Sequence, residues 1–118
     1  MKTKIQFIKG IDEKIVPDVR LTRSRDGSTG TATFQFQNPT ILSNEMSNEG
    51  EVTGMYLIDN EGILETKNVY VVYVNGKPRI LQSVYIMENP EAWDRFMRFI
   101  ENYASENGLS FFDPSNKL

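Results

Sequence analysis

Three arginines within six positions, Arg20, Arg23 and Arg25, form the sharpest chemical feature of this chain. A guanidinium fork matches carboxylates and phosphates better than a lysine ammonium does, and it suits interface ion pairs. Val19, Leu21 and Arg23 alternate with Arg20 and Thr22, which predicts a strand with Arg20 and Arg23 on opposite faces and Arg25 in the following turn. Three readings stay open on the residues alone: pairing with Asp18, Asp26 or the acidic middle of the chain, contact with a partner, and catalysis. Asp59 and Glu61 flank a turn and have the residue types of an acid–base pair or a cation site. Calcium takes about six to eight oxygens, so one turn offers too few and a plain surface turn is expected. Gly27-Ser28-Thr29-Gly30 lacks the Gly-Lys-Ser/Thr ending of a phosphate loop and opens a strand rather than a helix.

What is missing excludes more. Among 118 residues there is neither histidine nor cysteine. That removes imidazole bases, thiolate nucleophiles, zinc–sulfur sites and disulfides. The longest apolar run, Val69 to Val74, is far shorter than the roughly 20 residues that span a bilayer. Met1 to Gln6 is basic but leads into no apolar signal core, so a chain kept on the cytosolic side, or its organellar equivalent, is expected. The size gives one domain over 1–118, and area scaling buries about two-thirds of the unfolded surface.

The net charge of −3 is unevenly spread. Residues 1–26 carry seven cations against four acids, whereas 27–66 hold six acids and no Lys or Arg. Such polarity bears on steering and partners rather than on fold.

Elements follow from period. Ile5 and Phe7 against Lys4 and Gln6 give a short strand, and Val19 to Arg23 a second, with Pro17 at its start. Thr31 to Gln37 gives a third, joined to the second by a turn holding Asp26-Gly27. Asn38 to Gly50 reads as a loop, and 113–118 as a flexible tail. Val52 to Ile58, a long strand Ile63 to Val74 and Arg79 to Met87 then read as an antiparallel meander, with Asn75-Gly76 as the last hairpin turn. The density of Val69 to Val74 suggests a strand covered on both faces. After Asn89 and Pro90, suited to N-cap and first helical position, Trp93, Phe96, Met97, Ile100, Tyr103 and Ala104 make one helical stripe. Glu91 with Arg95 and Asp94 with Arg98 have favourable i,i+4 order, and Gly108 suits the C-terminal cap. Phe111 and Phe112 either add a short strand or pack. The fold class is α+β: an antiparallel sheet of five to six strands with one main C-terminal helix packed on it.

A small β-rich domain with an arginine cluster has a rival reading as a single-stranded nucleic-acid binder, with Phe34, Phe36, Tyr56, Tyr70 and Tyr73 as a stacking platform. A pI of about 5.0 and forty residues without a cation oppose the counterion-release term, so no nucleic-acid partner is expected. The physical reading ends at a non-catalytic interaction domain.

Two blocks carry a resemblance. Val16 through Phe34 reads Val-Pro-Asp-Val-Arg-Leu-Thr-Arg-Ser-Arg-Asp-Gly-Ser-Thr-Gly-Thr-Ala-Thr-Phe, and Trp93 through Phe99 reads Trp-Asp-Arg-Phe-Met-Arg-Phe, followed by Tyr103-Ala104 and Glu106-Asn107-Gly108-Leu109. Both resemble the soluble photosystem II protein family called Psb twenty-eight, with Gly54-Met55-Tyr56, Asp59, Glu61-Gly62 and Asn75-Gly76-Lys77-Pro78 between them in matching order. The sequence departs in Asn38 to Glu51, in Val71 to Val74 and from Phe112 onward. The resemblance implies a non-catalytic assembly or repair factor without cofactors, peripheral to the thylakoid membrane on its cytoplasmic or stromal side, with a soluble pool. Its implied partners are an inner core antenna subunit, through an extended tail, and the reaction-centre subunits of immature photosystem II. Strand addition to a sheet edge is the expected contact, with Arg20, Thr22, Arg23, Ser24, Arg25 and Asp26 as the partner-binding residues.

Overall fold

The computed structural model describes residues 2–43 and 50–111; Phe112, the expected tail and the loop residues 44–49 lie outside them. In order come β1 (Lys4–Ile8), β2 (Ile11–Asp12), β3 (Asp18–Arg23), β4 (Gly30–Gln37), a 3-10 turn (Thr40–Leu42), β5 (Met55–Asp59), β6 (Gly62–Thr66), β7 (Val69–Val74), β8 (Lys77–Met87) and α1 (Pro90–Asn107). The class is α+β, but the single sheet expected from sequence is two antiparallel four-stranded sheets, ordered β2-β1-β5-β6 and β3-β4-β8-β7.

The division occurs inside the segment read as one long strand. At Lys67-Asn68 the chain leaves the first sheet and enters the second. The Thr66 hydroxyl donates to the Val84 carbonyl at 2.7 Å and accepts the Asn68 N–H at 3.1 Å, while the Val84 N–H donates to the Asn68 carbonyl. The expected meander is therefore split: β5 pairs with β6 in one sheet, and β7 pairs with β8 in the other.

Alternation decides the faces. Val19, Leu21 and Arg23 register with Phe34, Ala32 and Gly30, and these with Ser83, Tyr85 and Met87, so all nine point inward. Phe7 of the first sheet meets Phe36 of the second edge-to-face, with centroids 4.9 Å apart, and the Ser83 hydroxyl contacts the Met55 sulfur across the same space. Helix α1 closes the core with Trp93, Phe96, Met97, Phe99, Ile100 and Tyr103. Asn89 caps it by accepting the Ala92 N–H at 2.8 Å, and Gly108 ends it in the left-handed region at φ 72°.

Gly30 marks the closest approach of sheet and helix. A Cβ there would lie 2.3 Å from the Trp93 ring, a rigid group with no flexible end to yield. Gly30→Ala is expected to cost about 2 kcal/mol or more. Urea unfolding gives the loss, and the emission of Trp93, the sole tryptophan, should shift in the folded state.

Candidate docking surface

The turn between β3 and β4 is built by its own side chains. Asp26 accepts hydrogen bonds from the Ser28 hydroxyl (2.7 Å), the Ser28 N–H (3.0 Å) and the Ser24 hydroxyl (2.9 Å). Those bonds, Ser28 first, hold its carboxyl at about 2. The Ser24 oxygen also takes the Thr29 N–H, and Gly27 supplies a φ of 75°. Ser24 and Asp26 thus shape the hairpin.

The three arginines separate. Arg23 turns inward, its guanidinium 4.6 Å from the centre of the Trp93 ring, and one of its Nη atoms donates to the Gly27 carbonyl at 3.2 Å. Its Nε is buried without a hydrogen-bond partner among the described residues, and the charge lies against the ring face and the turn. Reversing Arg23 would therefore disturb the fold as well as any interface. Arg20 and Thr22 sit on the outer face opposite Thr33 and Thr31, and Arg25 is exposed in the turn. Neither Arg20 nor Arg25 makes a side-chain hydrogen bond or ion pair among the described residues. Neither pairs with Asp26 among the described residues, and the Ser24 and Ser28 hydrogen bonds all converge on its Oδ1. Arg20 borders a polar groove of about 300 Å³ with Asp18, Val19, Thr33, Gln35 and Gln82.

Asp59 and Glu61, expected as a plain surface turn, serve as the receptor for the helix. Arg95 binds Asp59 through two hydrogen bonds of 2.8 and 2.7 Å, and Arg98 binds Glu61 through two of 2.8 and 3.0 Å. The helix arginines thus reach the β5–β6 turn rather than Glu91 and Asp94. The i,i+4 spacing gave no signal of this longer-range pairing. Burial pushes the Asp59 carboxyl up, but the Arg95 hydrogen bonds and charge and the Glu61 N–H outweigh it and hold it below its usual range. At Glu61 the Arg98 hydrogen bonds lead the same lowering. Among the described residues no cluster of three or more acids could hold a metal.

The feature that sequence reading missed is β7. It was expected to be covered on both faces, yet it is an edge strand with Tyr70, Val71, Tyr73 and Val74 exposed, Tyr73 at 64%. Apolar density alone does not distinguish a strand with two neighbours from one with a single neighbour. The stacking platform also dissolves: Phe34, Phe36 and Tyr56 are core residues, leaving Tyr70 and Tyr73.

The family model described as "Psb28 protein" matches residues 5–111. The chain belongs to the Psb28 family. Proteins named "Photosystem II reaction center Psb28 protein" are similar along almost its whole length: 68% identical in Phaeodactylum tricornutum and 67% in Trieres chinensis, each over 115 residues covering 98% of this chain and all of the relative. In Synechococcus elongatus the identity is 56% over 111 residues, 94% of this chain and 97% of the relative. Psb28 membership agrees with the resemblance carried by the β3–β4 hairpin and α1. Among the described residues of this Psb28 chain, no helix is long and apolar enough to cross a membrane.

Asp59→Asn tests the clamp between helix and turn. With the Asp59 side chain fully buried and Arg95 18% exposed, removing the charge is expected to cost about 3 kcal/mol at neutral pH. The folded-state pKa is lowered, so the stabilisation is complete above the unfolded value of about 3.9 and is lost as pH falls through the folded one. Urea midpoints of the two proteins should differ most above pH ~5 and converge below pH ~4.

Proposed function

We propose that this chain is a non-catalytic assembly and repair factor that binds transiently to immature photosystem II. In this reading it sits peripherally on the cytoplasmic or stromal face of the thylakoid membrane. The relatives' shared name supports the association with photosystem II. The single structural observation that carries the mechanism is the open edge of β7.

Six uncharged residues, with no proline, run along that edge. Natural edges are blunted by lysine, proline or bulges. β7 has one register shift against β8, between Val72 and Tyr73, and no charge, whereas β3, at the other side of the same sheet, has Asp18, Arg20 and Arg23, with Pro17 just before it. In an antiparallel ladder about half of the backbone groups of an edge strand point outward, here about three N–H and three C=O. An extended tail of the inner core antenna subunit would pair with them, and alternate side chains would settle beside Tyr70 and Val71. Each backbone bond contributes only about 0.5–1.5 kcal/mol net, which suits reversible capture. Arg20 and Arg25, uncommitted within the described residues, would meet carboxylates or carbonyls of the reaction-centre subunits from the opposite side of the sheet. Ser24, Asp26 and Arg23 act there by fixing the hairpin that displays them, and Thr22 lies beside Arg20 on the outer face.

Capture from detergent-solubilised thylakoid membranes tests both parts. Tagged protein should retain photosystem II complexes that lack a mature oxygen-evolving centre. Tyr70→Lys with Val71→Lys should lower retention about tenfold, the equivalent of about 1.4 kcal/mol, with an unchanged urea midpoint. Arg20→Glu with Arg25→Glu should also weaken it. Undiminished retention by a folded edge variant would move the contact away from β7, and retention of no photosystem II complex by the parent protein would end the proposal.

A further inference from the structure

The tip of the β7–β8 hairpin has a composition that strand addition does not use. From Tyr73 to Arg79 seven consecutive residues are exposed. Asn75 and Gly76 both take positive φ, 52° and 78°, making the tight turn that projects the tip. Between Thr66 and Met87 the chain carries Lys67, Lys77 and Arg79 but no acid. Lys77 and Arg79 make no side-chain hydrogen bond or ion pair among the described residues.

A second exposed loop lies at the same end. The Asn38 N–H donates to the Arg79 carbonyl, placing the 3-10 turn beside the hairpin, and Glu13 accepts the N–H groups of Thr40 and Ile41. Glu13 thereby draws the exposed Lys14, Ile15 and Val16 toward that end. Its own carboxylate is occupied, since it also accepts the Ile15 N–H. Asp18, the next acid, is on the outer face of β3. One end of the molecule therefore presents Tyr73, Val74, Ile15 and Val16 among Lys14, Lys77 and Arg79.

We propose that this end contacts an anionic bilayer surface directly. A tyrosine ring with its hydroxyl is at home at headgroup depth, lysine and arginine stems lie along apolar surface with their charges outward, and anionic headgroups attract the cations. The charge pattern, cations without an exposed acid on the hairpin, selects anionic over zwitterionic lipid. The contact uses the strand ends and the turn, leaving the backbone of Val69 to Val72 open. It is independent of the strand-addition reading. A partner that holds the protein at a membrane does not by itself require lipid contact.

Co-sedimentation with vesicles tests it. The full chain should bind phosphatidylcholine vesicles containing phosphatidylglycerol and not pure phosphatidylcholine, with binding that declines as salt rises. Lys77→Gln with Arg79→Gln should weaken partition about thirtyfold, about fivefold for each cation. Tyr73→Ser with Val74→Ser should weaken it at every salt concentration, and Lys67→Gln, at the other end of the strand, should leave it nearly unchanged. All these positions are exposed, and circular dichroism verifies folding. Equal binding to both vesicle types, equal loss in the Lys67 variant, or sedimentation without vesicles would each overturn the proposal. Loss of lipid binding with retained capture of photosystem II by the tip variants supports it and keeps the two contacts separate.

Discussion

The change of sheet at Lys67-Asn68 governs the surface of this protein. A strand continuing straight from Ile63 to Val74 would have stayed within a single sheet. Instead the Thr66 hydroxyl, bonded to Val84 and Asn68, pins the point where the chain crosses over. Two consequences follow together. The inner faces come close enough for Phe7 to meet Phe36, and β7 becomes the last strand of its sheet. The core and the exposed edge thus have one geometric origin.

Arginine is used in two ways here, and the direction of each side chain decides which. Arg23, Arg95 and Arg98 face other parts of the fold and are spent on Trp93, Asp59 and Glu61. Arg20, Arg25 and Arg79 face outward and make no such contacts among the described residues. A count of cations therefore overstates what is available to a partner. The inward set binds the helix to one turn and one hairpin, which leaves the outward set on a firm frame.

Much of this was legible in the sequence because period is local. The helix with its Asn89 and Gly108 caps, the β3–β4 hairpin and the Asn75-Gly76 turn all rest on neighbours within a few positions. The two-residue β2 was too short to leave a period. The division into two sheets was illegible because it depends on Thr66 bonding to a residue eighteen positions away. Asp59 and Glu61 were read as a surface turn for the same reason: their partners are 36 and 37 positions distant, on another element. Alternation set Arg20 and Arg23 on opposite faces, as the structure has them, but the ring beneath Arg23 comes from the helix. Membership of the Psb28 family was legible from the β3–β4 block and the helix block.

The Met55 sulfur, touching the Ser83 hydroxyl midway between the two sheets, has a chemical implication of its own. A thioether in that place is shielded from peroxide while the sandwich is shut, and its sulfoxide would be a polar, bulkier group in a fully buried position. Oxidation there must wait for the sheets to part. The pace at which oxidant consumes this one side chain is therefore a clock for breathing of the whole domain.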